Sequence, residues 1–386
     1  SAARRLALSG RLARGLDAAL AGLARAARRA PGVVVAAWAL AVAASLALIP
    51  RIVIDTDYLS HFDADSAVRR DFDAVNRLLA GTVPLYVVVD GGGRGTLRDP
   101  QLLHALAEVQ TRIDALPGVS RTLSFLDTMR VLNRAVEGDD PAEERLPGTR
   151  GGISELFFLI PKTELARFAT VDHSRANLIV RTGEVGSAAM RRLTEGIGRV
   201  LGDEALPAGV RAQVTGNAIL VNRAADGVAR SQPRTVGLAA LTIFALLALG
   251  LRSLRLGLVA MVPNVVPVLI FYGVLGSGAA YLSLATSLIG SVALGIAIDA
   301  TVHFLVRYRA ERVAGATPEQ AALHCGRNVG RPIAIASLML AAGFLSVTFS
   351  QFSTLREFGW LTAMTMAVCC FTDLLLLPAL LVRLRL

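Results

Sequence analysis

Cysteine is scarce. Cys325, Cys369 and Cys370 are the only three in 386 residues, all in or beside apolar runs, and the long polar middle of the chain has none. No disulfide framework can be drawn, so an oxidising compartment is neither required nor excluded. Nucleotide motifs are missing too. GGGRGT, from Gly91, follows a strand pattern but lacks the Lys-Ser/Thr of a P-loop and the GxGxxG order, and reads as a solvent loop. DTDYLSHFDADS, from Asp55, alternates acids without the glycine or closing glutamate of an EF-hand, so it is not read as a metal site. His61, His104, His173 and His324 have no ligand spacing, and no nucleophile lies near a base in any motif. No metal, no cofactor and no enzymatic activity are expected. The chain also lacks an initiating Met and a cleavable signal pattern, and is expected to be a segment of something longer or to carry a tag remnant.

What is present in quantity is apolar chain. Hydrophobic residues make up 53% and the formal net charge is +10. A basic balance can indicate nucleic acid, so the distribution of charge decides. Residues 51–233 sum to about −2 and the flanking regions to about +12, mostly as Arg beside apolar spans. That is membrane-topology charge, and no nucleic acid partner is expected.

Residues 1–30 read as a basic amphipathic cytoplasmic helix, with Leu6, Leu12, Leu16, Leu20 and Leu23 near one face and arginines between them. Residues 31–50 are a first transmembrane helix bracketed by Pro31 and Pro50. Residues 51–233 show soluble α/β patterning. Val68, Phe72, Val75 and Leu79 follow helical spacing before the strand PLYVVVD. Leu102, Leu106, Val109, Ile113 and Leu116 make a second stripe before a strand at Ser120 to Phe125. After the polar loop from Gly138 to Gly152 come strand ANLIVRTG, helix SAAMRRLTEGIGRVL, strand VRAQVTG and helix NAILVNRAADGVARS. Two β-α-β units in series predict a sheet covered by helices on one face. Residues 234–386 read as a five-helix transmembrane bundle, at about 235–251, 256–276, 282–305, 332–350 and 357–382.

Arginines set the orientation. Arg252 and Arg255 follow span two, Arg307, Arg309, Arg312, Arg327 and Arg331 follow span four, and Arg383 and Arg385 follow span six, whereas the alternate loops carry only Arg356. Both termini are therefore expected in the cytoplasm, with residues 51–233 outside, in the periplasm if the cell is Gram-negative.

VPNVVPVLI in span three, SLATSLIGSVALGIAIDATVHFLVRYR in span four, GRPIAIASLMLAAGFLSVTFSQFSTLREFGWLTA in span five and TDLLLLPALL in span six carry a resemblance. The chain resembles one half of the resistance-nodulation-division superfamily, in its MMPL-like branch of hopanoid and lipid exporters. The resemblance implies an α-helical polytopic membrane protein of six spans, with an inserted α/β, ferredoxin-like β-α-β porter domain outside the cytoplasm. It further implies a bacterial inner-membrane location, contact with membrane lipids, a hydrophobic or lipid-like substrate, and a second transporter half. The order of segments fits the C-terminal half.

Asp299 is the one acid of span four, and Asp373 the one acid in the interior of span six. At 1.5 Å per residue they lie about 12 Å and about 15 Å inside Arg307 and Arg383. A charge there costs roughly 2.5 to 3.5 kcal/mol, and two acids at similar depth suggest a shared polar pathway for protons. The resemblance assigns the proton-carrier role to the span-four acid, Asp299. His303, four residues on, lies on the same face and reads either as a relay that steadies Asp299 or as an interfacial residue at the span's end. Thr301 and Ser337 are candidate hydrogen-bonding partners, or bond their own backbone. Relatives often place Asp or Tyr after the span-four acid; here the residue is Ala300. Pro263 and Pro267, with Asn264 between, read as a hinge or a static kink in span three. Ser287, Gly290, Ser291 and Gly295 read as a packing seam against a partner half.

The expected function is proton-driven export of a hydrophobic or lipid-like substrate. Two other classes fit the half-plan: a protein-export accessory of the Sec-associated kind, and a sterol-sensing-like receptor that does not pump.

Overall fold

A computed structural model describes residues 2–55, 59, 62, 65–202 and 206–385, without the side chains of residues 2–14 and 17. Leu6, Leu12 and His61 therefore lie outside the described side chains, as does most of the acidic stretch after Asp55. The chain separates into two compact units, Thr56–Ala225 and the combination of Ser1–Asp55 with Asp226–Leu386.

Helices α1 (Ala2–Arg29) and α2 (Pro31–Leu48) open the chain. Pro31 stands at the start of α2, where its missing N–H has no helical partner to lose. In the first unit named above, α3 (Ala67–Leu78) begins at Ser66, whose hydroxyl accepts from the Arg69 N–H. Strand β1 (Val83–Asp90) alternates, with Leu85, Val87 and Val89 fully buried. Asp99 caps α4 (Pro100–Asp114), which buries Leu102, Leu106, Val109 and Ile113 as its spacing predicts. Strand β2 (Val119–Leu123) stops short of the predicted Phe125. Ser124 and Asp127 form a capping box there and start α5 (Phe125–Val136). Then follow α6 (Arg150–Leu159), α7 (Lys162–Leu165), β3 (Arg175–Thr182), α8 (Ser187–Gly202) and β4 (Arg211–Thr215).

The sheet order is β2-β3-β1-β4, and every neighbouring pair is antiparallel. Strand β3 thus sits between β1 and β2, and β1 between β3 and β4. The two β-α-β units predicted in series are interleaved rather than placed side by side. Alternate residues of β1 and β3 share one core with α4, α5 and α8. The predicted stripe on α3 does not join it: Val68, Val75 and Leu79 are exposed.

The other unit holds the remaining helices: the membrane portion of α9 (Asn217–Gly250), then α10 (Leu254–Gly276), α11 (Leu284–Val313), α12 (Pro318–Asn328), α13 (Gly330–Val347) and α14 (Ser353–Phe371). A π-helical turn (Thr372–Leu376) and α15 (Leu377–Arg383) follow. Among the described residues, six helices are long and apolar enough to cross a membrane, the number of spans expected. One difference is continuity: the helix read at Asn217 and the span read from about 235 are a single helix running through Pro233. A proline removes one ladder bond, which does not end a helix that is otherwise supported on both sides.

Helices α10 and α14 are the most buried of the bundle. Gly273 and Gly276 let α10 approach α2 closely, since a Cβ at either would overlap Ser45 or the Leu48 carbonyl. The apolar side of α1 is not left for lipid. Leu16, Leu20 and Leu23 pack on the cluster built by α12 and α15, and Ala27 is buried.

Candidate functional site

Span four delivers its polar residues to two different faces. On α11, a four-residue step places Asp299 and His303 one turn apart on one side. Their side chains are 82% and 69% exposed, and His303 Nε2 lies 3.5 Å from Asp299 Oδ1. Thr301, two residues from each, points the other way and is fully buried.

There it meets span six. Thr301 Oγ1 donates to Asp373 Oδ1 at 2.6 Å and accepts from Asn264 Nδ2 at 3.2 Å. The Ala297 carbonyl is 3.4 Å from the same hydroxyl, so the single hydroxyl hydrogen goes to the nearer carboxylate. Asn264 Nδ2 also donates to the Ala260 carbonyl at 2.7 Å. Its Oδ1 is buried and has no donor among the described residues. Asp373 is 1% exposed, and no ion pair reaches it among the described residues. Three helices therefore supply one buried polar chain, Asn264 to Thr301 to Asp373.

The local backbone explains why Asp373 sits there. In the π-helical turn the Leu377 N–H bonds to the Thr372 carbonyl, five residues back rather than four. Pro378 follows and has no N–H to offer, so the ladder resets across this stretch. The two prolines of α10 act similarly. The helix continues through both, and Pro267 leaves the Pro263 carbonyl without its usual donor. Thr372 fills the gap: its hydroxyl lies 2.9 Å from Pro263 O and 2.8 Å from its own Cys369 O, sharing one hydrogen between them. Thr372 had no role in the sequence reading; its only signal was adjacency to Asp373.

A groove of about 530 Å³ joins the two acids. Its walls include Gly295, Asp299, His303, Ser337, Cys369 and Asp373. Ser337 thus belongs to the groove rather than to the buried chain. The small residues divide. Ser287 bonds its own Leu284 carbonyl, Gly290 abuts Tyr272 of α10, and Ser291 lies 3.4 Å from Gln232. Gly295 faces open space. Of the predicted residues, the fold brings Asp299, His303, Ser337 and Asp373 to one groove, and Asn264, Thr301 and Asp373 to one hydrogen-bonded chain. Asp373 alone belongs to both. Chemically, such a pair offers two carboxyls in an apolar surround, one facing the groove and one anchored behind it.

A model of the MMPL family matches residues 60–384. The chain is similar to a protein of Methanocaldococcus jannaschii whose name describes it only as a membrane protein, at 22% identity over 287 residues, covering 74% of this chain and 72% of that one. It is also similar to the hopanoid transporter HpnN of Burkholderia multivorans, at 33% identity over 147 residues, 36% of this chain and 16% of the transporter. The HpnN of Rhodopseudomonas palustris matches at 33% over 88 residues, 23% of this chain and 10% of that protein. The chain thus spans only a small part of either hopanoid transporter.

Proposed function

Because the chain belongs to the MMPL family, we propose that it is a multi-pass membrane transporter, or half of one, that couples proton movement to export of a hydrophobic or lipid-like substrate. One observation carries this reading: two carboxyls on different spans border the same groove, Asp299 exposed in it and Asp373 buried behind it on a hydrogen-bonded chain. A carboxylate inside a span is costly wherever it meets lipid, roughly 2.5 to 3.5 kcal/mol. An exposed Asp299 at that depth therefore needs a polar cover, and a second half packed on the groove supplies one. Asp299, with His303 beside it, is the exchanging proton site; Asp373, held by Thr301, is the inner one.

The arginine pattern supports a bacterial inner-membrane topology with both termini cytoplasmic and residues 51–233 periplasmic. The interleaved sheet order supports reading that segment as a ferredoxin-like porter domain. The hopanoid transporters among the similar proteins support a lipid-like cargo.

The test is proton flux in proteoliposomes carrying the native protein, compared with Asp299→Asn. Flux in the variant is expected to fall to the level of empty vesicles. Wild-type flux in a correctly inserted variant would sink the proton-carrier role.

A further inference from the structure

A basic groove lies at the arginine-rich end of the bundle, apart from the one that joins the acids. It encloses about 610 Å³ between α1, α12 and the start of α13, and its walls include Leu20, Arg25, Leu323, Arg327 and Arg331. Each of the three helices thus contributes one arginine. None of these guanidinium groups makes an ion pair among the described residues, and their one hydrogen bond there runs from Arg25 Nε to the Ala21 carbonyl of its own helix, at 3.1 Å. That bond leaves both Nη atoms of Arg25 for a ligand.

The acids of this end are engaged elsewhere. Glu311 takes Arg307 at 2.5 Å and His324 at 2.9 Å. Glu319 stands in the first turn of α12, whereas Arg327 stands in its last. Arg331 is in the first turn of α13, where the helix dipole disfavours a cation, and no acid stands beside it in that turn. Three like charges around one groove repel one another, and an anion among them reverses the sign of that interaction. The groove also leads toward hydrocarbon. Four and seven residues beyond Arg331, on the same face of α13, Ile335 and Leu338 are 40% and 67% exposed within span five.

We infer that this groove holds an anionic phospholipid, its phosphate among Arg25, Arg327 and Arg331 and its acyl chains along Ile335 and Leu338. A guanidinium presents paired donors to two phosphate oxygens, and three of them converge here from three helices. Basic pockets between helices at the cytoplasmic face hold charged headgroups in this way. A neutral lipid leaves the three charges unmatched, and a free phosphate makes no use of the apolar face that continues from Arg331. The bound lipid is a fixture and not cargo: charge recognises it, and it ties α1 to α12 and α13. The inference rests on the transporter reading only in placing this end of the bundle at the cytoplasmic leaflet; binding is independent of proton coupling.

The test uses the full chain in maltoside micelles and a phosphatidylglycerol carrying a diazirine on one acyl chain, with the photolabel located by peptide mass spectrometry. Label is expected on residues 331–340, displaced by unlabelled phosphatidylglycerol but not by diolein, phosphatidylcholine or inorganic phosphate. The half-saturating lipid concentration should rise about fivefold in Arg327→Gln and more than tenfold when Arg25, Arg327 and Arg331 are all changed to Gln. All three side chains are exposed, so thermal unfolding in lipid-free micelles should not change. A control changes Arg252, Arg255 and Arg383 to Gln, removes the same charge outside the groove, and should shift binding less than about twofold. Equal losses in the two triple variants, displacement by diolein or inorganic phosphate as effective as by the lipid, or label spread evenly over the spans would overturn the site. If labelling fails while Asp299→Asn still abolishes proton flux, only this inference falls. If labelling succeeds and Asp299→Asn keeps wild-type flux, the lipid site stands and the proton reading falls.

Discussion

Spans four and six each carry one carboxylate at similar depth, yet the fold treats them in opposite ways. Asp299 sits on a regular stretch of α11, with its side chain in the groove and His303 as its one ion-pair partner among the described residues. Asp373 sits in a π-helical turn, 1% exposed, and takes a 2.6 Å hydrogen bond from Thr301 on the very helix that carries Asp299. Depth along a span therefore says nothing about burial; the face decides. One helix can serve both environments because residues two apart point to nearly opposite sides. The contrast suggests a division of labour, with an outer acid free to exchange and an inner acid whose position is fixed.

Five substitutions test that division. Asp373→Ala should have the largest effect. It is expected to abolish proton flux and also to lower stability by about 1 to 3 kcal/mol, because Thr301 and Asn264 lose the end of their chain. Both are read from one preparation, by flux in vesicles and by unfolding in detergent. Asp299→Asn should abolish flux with stability unchanged within about 0.5 kcal/mol, as for an exposed substitution. Equal destabilisation by the two variants would erase the contrast. Thr301→Val should cost about 1 kcal/mol, near the upper part of the range for hydrogen bonds between membrane helices, and Thr301→Ser should restore most of it. Thr372→Val should cost least, about 0.6 kcal/mol, since its hydroxyl is shared with its own helix and only the Pro263 carbonyl is left unserved. A loss larger than that of Thr301→Val would make span three's prolines, not the acid, the structural centre.

Much of the plan was legible in the residues. Six apolar runs, the arginine bias between them and the period-two and period-3.6 patterns are local properties, and local properties survive translation into structure. The four-residue step from Asp299 to His303 is of this kind, and the two meet as expected. Other features were not legible. Helix α5 begins where a strand was read to run on to Phe125, because a capping box at Ser124 redirects the chain, and α6 and α7 lie largely in a stretch after the Gly138 to Gly152 loop to which the sequence reading assigned no element. Helix α9 runs through Pro233, a residue that usually argues for a boundary. On α3, a clear apolar stripe failed to become core. Periodicity shows that a face is apolar, not that anything covers it.

The partners of the polar residues were the least accessible. Thr301 was a candidate partner on the grounds of residue type, but its bond to Asp373 joins positions 72 apart, and the bond from Thr372 to the Pro263 carbonyl spans 109. Neither spacing leaves a trace in one sequence.

By itself the sequence determined the membrane class, the number of spans, the interruption by an α/β segment and the presence of two acids where hydrocarbon disfavours them. Each follows from free energies that act over a few residues, namely transfer of apolar side chains and the ladder needs of the backbone. Only the tertiary structure decided which acid is buried, which hydroxyl serves it, and that the two strand pairs interleave. Those outcomes depend on which faces of distant segments meet, and that is settled by packing the whole chain at once rather than by any stretch of it.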